Sequence, residues 1–128
     1  MARLWGRRLF LVAAWLFVIG LVYQVYLAGM GIFAGNFDNH VNFGYMVSLI
    51  PVVMVVLGLI GRIGWRDIVL SVLLFGQGIL QTVFVLQRET APAIAALHPV
   101  NGVLMLIIGI YLGIDAWRFV QADRLAST

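Results

Sequence analysis

Four apolar runs, at 8–33, 40–60, 67–86 and 99–119, leave this chain little choice of fold. Each holds roughly 20 residues or more, and a helix rising ~1.5 Å per residue then spans a hydrocarbon core of ~30 Å. Composition agrees. With 63% hydrophobic and 10% charged residues and a mean hydropathy of +1.06, the chain lies far from soluble globular domains. The breaks are short: a Gly/Asn/Asp turn at 34–39, Gly61-Arg62-Ile63-Gly64-Trp65-Arg66, and a longer link at 87–97 carrying Pro92. Short links make sequential helices antiparallel neighbours. The expectation is an all-α polytopic membrane protein: one domain over 1–128, an antiparallel four-helix transmembrane bundle.

Every basic residue is arginine, and their placement sets an orientation. Arg3, Arg7 and Arg8 precede the first run, Arg62 and Arg66 separate the second and third, and Arg118 and Arg124 follow the fourth; only Arg88 lies on the other side. By the positive-inside rule both termini are cytoplasmic, and Trp5, Trp65 and Trp117 mark the inner interface. The sequence pI of about 10.0 therefore reports topology and not a nucleic-acid surface. Arg7-Arg8-Leu9-Phe10-Leu11 resembles a twin-arginine export signal, but the apolar run after it is too long and no small-residue cleavage site follows. It reads as an inner-side anchor. With no cysteine, disulfides, iron–sulfur clusters and thiolate metal sites are excluded. The chain also lacks a nucleophile–base pair, a phosphate loop and a metal-carboxylate set, so hydrolase and transferase chemistry has no support.

The chain has two histidines, and each opens an apolar run. His40-Val41-Asn42-Phe43-Gly44 and His98-Pro99-Val100-Asn101-Gly102 share a glycine four residues on, one turn along the same helix face. Gln24 precedes His40 by sixteen residues and Gln81 precedes His98 by seventeen, so the chain reads as two copies of one hairpin related by an axis along the membrane normal. His40, His98, Gln24, Gln81 and Gln87 all fall in the outer third of the bundle, whereas the inner half offers mainly Ser48, Ser71 and Gln77. A helix-start histidine also serves as an interfacial cap, and Pro99 suits a first helical turn. The duplication is what favours ligation.

The pattern fits a bis-histidine haem b, or another tetrapyrrole such as a chlorin. Neutral imidazoles from facing helices of a bundle supply both axial positions, making His40 and His98 the metal ligands. Gly44 and Gly102 then make room for a macrocycle edge, and Pro51 kinks the second helix and widens the interior. Arg88 pairs with propionates, assisted by Asn39, Asn42 and Asn101. Gln24 or Gln81 orients an imidazole through its second nitrogen. No residue takes a catalytic role. Among the remaining features, Gly109-Ile110-Tyr111-Leu112-Gly113 is a close-packing pattern within the bundle or between copies. Tyr23, Gln24 and Tyr26 suit a quinone pocket, Asp38 caps the second helix, and Asp67 with Arg66 and Asp115 with Arg118 read as interfacial pairs.

The stretches Phe37-Asp38-Asn39-His40 with Gly44, Leu97-His98-Pro99-Val100-Asn101-Gly102 and Leu27-Ala28-Gly29-Met30-Gly31 resemble a family of small bacterial four-helix membrane proteins catalogued as a domain of unknown function. The resemblance implies a multi-pass protein of the bacterial plasma (inner) membrane, N-in and C-in. It implies no activity. From the residues themselves, the expected function is that of a small b-type cytochrome passing electrons between quinone or a larger membrane complex and a periplasmic acceptor. The alternative is a cofactor-free accessory subunit packed in the lipid bilayer against a larger respiratory or photosynthetic complex, or against a second copy of itself. No nucleic-acid partner is expected.

Overall fold

The computed structural model describes residues 1–125, and among these the chain is helical with no strand. The elements are α1 (Ala2–Ala34), α2 (Asp38–Gly61), α3 (Trp65–Leu86), a single turn α4 (Pro92–Ala95) and α5 (Leu97–Leu125). Four stretches, Ala2–Ala34, Asp38–Gly61, Trp65–Leu86 and Pro92–Leu125, are long and apolar enough to cross a membrane. The helices run past the apolar stretches that announce them: α1, with 33 residues, is about 50 Å long, well beyond a hydrocarbon core.

Local chemistry ends each helix. Gly35, at φ 69°, closes α1 in the left-handed conformation that glycine adopts without steric cost. Asn36 Oδ1 then accepts the Asp38 N–H at 2.7 Å, so the side chain serving the start of α2 is Asn36. Asp38 is the first helical residue, not the cap, and its charge sits where the helix dipole favours it. Arg62 ends α2 at φ 47°, and Ile63 donates its N–H back to Gly58 O at 3.1 Å. Pro92 sits in the first turn of α4, where a missing N–H costs nothing. This short helix within the 87–97 link has no counterpart among the apolar runs. Pro51, expected to kink α2, is fully buried inside a helix that continues through it.

The helices form a ring in which α1 packs on α2, α2 on α3, α3 on α5, and α5 on α1. The diagonal pairs, α1 with α3 and α2 with α5, make no Cα approach within 8 Å among the described residues. Phe10, Phe17, Met54, Leu74 and Leu112 fill the middle and are fully buried, while leucine, isoleucine and valine cover the outside. Gly109 receives Phe17 and Val18 of α1, and Gly113 receives Trp15. The small-residue pattern of α5 is thus used within one chain.

One end of the bundle is clamped by backbone contact. A Cβ at Gly6 would meet Gly61 N at 2.5 Å and Gly61 Cα at 2.8 Å, so α1 and α2 touch main chain to main chain. Arg7, expected only to anchor the first helix, is buried there. Its Nε donates to Gly61 O at 3.0 Å, its Nη1 meets Asp123 Oδ1 at 2.6 Å, and its guanidinium lies 5.2 Å from the Phe119 ring centre. One side chain thereby ties α1, α2 and α5 and brings both helix ends of the ring to the same end. Asp67, read as an interfacial partner of Arg66, is buried against Asp115 and still feels the charge of Arg66, whose guanidinium lies 4.8 Å from the Tyr111 ring centre.

Two substitutions test the clamp in thermal or denaturant unfolding. Gly61→Ala must separate two backbones and is expected to cost about 1–3 kcal/mol. Arg7→Ala strands the Asp123 carboxylate and the Gly61 carbonyl and is expected to cost on the order of 3 kcal/mol. Wild-type stability in either variant would show that the contact holds nothing.

Candidate functional site

At the opposite end the two imidazoles are neighbours, one edge-on to the other. His40 lies in the first turn of α2 and His98 is the second residue of α5, so they come from a diagonal pair of helices. Their ring centroids are 6.1 Å apart and their planes are inclined by 60°. Each ring is half-buried.

Each ring is also held by a neighbouring helix. His40 Nδ1 lies 3.1 Å from the main-chain oxygen of Gln24 on α1. His98 Nδ1 lies 3.1 Å from the main-chain oxygen of Gln81 on α3. A carbonyl only accepts, and its second lone pair is free to do so when the first serves the helix. Nδ1 therefore carries the hydrogen in both rings, and in the neutral imidazole Nε2 keeps a free lone pair. The two nitrogens available for ligation are thereby defined, and both belong to the same bundle layer.

The shared glycine has a local cause. A Cβ at Gly44 would collide with Nε2 of Gln24, and one at Gly102 would lie 3.3 Å from Nε2 of Gln81. In each hairpin, the glutamine whose carbonyl grips the histidine lays its amide over the glycine one turn further along. The sequence assigns Gly44 and Gly102 to a macrocycle edge; the structure puts glutamine amides there. The hairpin of α1 and α2 and the hairpin of α3 and α5 thus carry the same four-part contact.

The remaining expected residues fall into two groups. Asn101 is buried, with Nδ2 donating to Gln77 O at 2.9 Å and lying 3.8 Å from Met105 Sδ. It ties α5 to α3 and stands one turn below His98. Asn42 is exposed on the outer face of α2. Arg88 is on the open turn after α3, with its side chain 71% exposed and Glu89 3.7 Å away. The structure gathers His40, His98, Gln24, Gln81, Gly44 and Gly102; Asn101 lies one turn deeper on Gln77, and Asn42 and Arg88 stand apart.

A family model, described as a family of unknown function (DUF6220), matches residues 24–90. The chain belongs to this family. The DUF6220 match begins at Gln24 and includes His40, Gly44 and Gln81, so it takes in the whole first contact and half of the second. No curated protein and no solved structure matches the chain.

One neighbour in the DUF6220 segment was not expected to matter. Phe37 stands edge-on to His40, with centroids 6.3 Å apart, and its ring covers Gly31, where a Cβ would come within 2.5 Å of Cδ1. The glycine near the end of α1 and the aromatic just before α2 are the signal, since an aromatic ring seated on a helix needs a gap there. Gly31→Ala is expected to push the ring off α1 at a cost of about 1–3 kcal/mol. It should also move the His40 ring-proton resonances in an NMR spectrum while leaving those of His98 in place. An unchanged His40 signal would separate Phe37 from the site.

Proposed function

We propose that this protein is a small b-type cytochrome-like membrane protein in which His40 and His98 hold the two axial positions of one haem b. The observation that carries the reading is the pair of imidazoles with ring centroids 6.1 Å apart, each with Nδ1 committed to a helix carbonyl. Two neutral imidazoles brought together from different helices of a bundle would supply both ligands of such a group through Nε2. A second ring nitrogen bound to a carbonyl is the usual support of a metal-bound histidine, because it fixes the tautomer and aims the lone pair. This pair of donors supports the reading.

The residues divide the work. His40 and His98 bind; the Gln24 and Gln81 carbonyls orient them; Phe37 limits the swing of His40. The apolar exterior excludes water from the sides of the bundle. Bound haem supplies one-electron exchange, and imidazole at both axial positions suits electron transfer over oxygen chemistry. The cluster of seven arginines opposite the histidine end supports an orientation with both termini cytoplasmic and the site toward the periplasm of a bacterial plasma membrane. Quinone, or a larger membrane complex, is the electron partner in this reading.

Protein purified in mild detergent from haem-replete membranes should be coloured, with a Soret band, α and β bands on reduction, and one haem per chain. His40→Ala and His98→Ala should each abolish the low-spin spectrum. Colourless protein free of tetrapyrrole would end the cytochrome reading. Fixed-stoichiometry recovery of such protein with larger subunits would establish the accessory role instead.

A further inference from the structure

Charge at the arginine end is not balanced within the protein. Arg3, Arg8, Arg62, Arg66, Arg118 and Arg124 are all exposed there. The carboxylates of that end are engaged inward. Asp123 meets the buried Arg7 at 2.6 Å, and Asp67 is buried against Asp115, which Arg118 approaches to 3.5 Å. Two of the exposed cations lie against rings, Arg8 5.6 Å from the Trp5 ring centre and Arg66 4.8 Å from that of Tyr111. Among the described residues, Arg3 and Arg62 meet neither a carboxylate nor an aromatic ring. The other end of the bundle carries Asp38, Arg88 and Glu89 and has no such excess.

Arg62 stands out for its backbone as well. At φ 47° and ψ 49° it is the one non-glycine residue with positive φ among those described, in a conformation that glycine adopts freely and a residue with a Cβ does not. The turn cannot relax around it. Gly61 before it is pressed on Gly6 and Arg7 of α1, and Ile63 after it is buried, with its N–H on Gly58 O. The Arg62 side chain is left outside this packing, at a place where glycine would close the helix with less strain. Strain held at a fixed position points to a use for the side chain that causes it.

The level of these arginines identifies the partner. The apolar helices end there, and Trp5, Trp65 and Trp117 are exposed at the same end, as indoles are at the boundary of a bilayer. What meets an excess of guanidinium at that boundary is the headgroup layer, whose anionic charge is phosphate on phospholipid. A guanidinium binds phosphate through two parallel N–H bonds. We propose that the arginine end of the bundle binds the phosphate headgroups of anionic phospholipids, and that Arg62 is the residue through which the α2–α3 turn holds one. The proposal uses the membrane architecture and is independent of the cytochrome reading.

Native mass spectrometry of the full chain in detergent, titrated with phosphatidylglycerol or with phosphatidylcholine, reads the binding constant of each lipid. Phosphatidylglycerol should bind several-fold more tightly. Arg62→Gly should lower its constant roughly fivefold, the factor for one arginine at an anionic surface, and leave that of phosphatidylcholine in place. Without added lipid, the same variant should unfold at the wild-type Tm or above it, because glycine relieves the backbone. A fall in Tm would make Arg62 a structural residue and overturn its assignment. Equal affinity for the two lipids, or a phosphatidylglycerol constant unchanged by the substitution, would overturn the proposal too. Displacement of the lipid by an equimolar amount of inorganic phosphate would mean a site for the free anion and would exclude the lipid as its partner.

Discussion

The bond from a histidine Nδ1 to the main-chain oxygen of the next helix organises this protein. A helical carbonyl cannot rotate away, so a ring attached to it at 3.1 Å has its plane, its tautomer and its free nitrogen decided together. The attachment demands that the two helices of a hairpin lie close at that level. The glutamine that supplies the carbonyl also places its own side chain in the seam, and a glycine opposite makes room for it. The spacing of four residues from histidine to glycine is the pitch of one turn, because that is how far along the partner helix the amide reaches. Gly44 and Gly102 are consequences of how the imidazoles are held.

The two ends of the bundle solve opposite problems. At the arginine end, Gly6 against Gly61 and the buried Arg7 draw three helices into contact. A dry layer of Phe10, Phe17, Met54, Leu74 and Leu112 continues that packing to the middle. At the histidine end the diagonal helices α2 and α5 must not close on one another, because the space between them is where the rings meet. They are kept apart by α1 and α3, each of which touches both of its neighbours. A bundle tight at one end and spanned by imidazoles at the other has its polar groups concentrated where they can be used, which hydrocarbon otherwise penalises.

Much of this was legible in the sequence, and the exceptions have physical causes. Run length and short links determine four antiparallel helices, and the doubled histidine pattern brings both imidazoles to one layer. Helix faces were harder to read, because a helix that is apolar on all sides has no amphipathic stripe to mark its inner side. Even so, Asn42 and Asn101 could have been told apart. Asn42 is two residues after His40 and so lies across the helix from it, whereas Asn101 is three after His98 and shares its face. The first is exposed and the second buried. Arg7 misled for a different reason: an arginine at a membrane boundary satisfies the topology rule whether it faces headgroups or a carboxylate from another helix. Only the return of Asp123 beside α1 distinguishes the two, and that pairing spans nearly the whole chain.

The family match adds a further constraint when set against the geometry. It covers His40 and both glutamines but stops at residue 90, short of His98. The part of the chain that matches the family therefore contains one complete histidine contact and the empty half of another. His98 enters because α5 returns beside α3 and presents its second residue to the Gln81 carbonyl. The last helix thus supplies the second half of the imidazole pair.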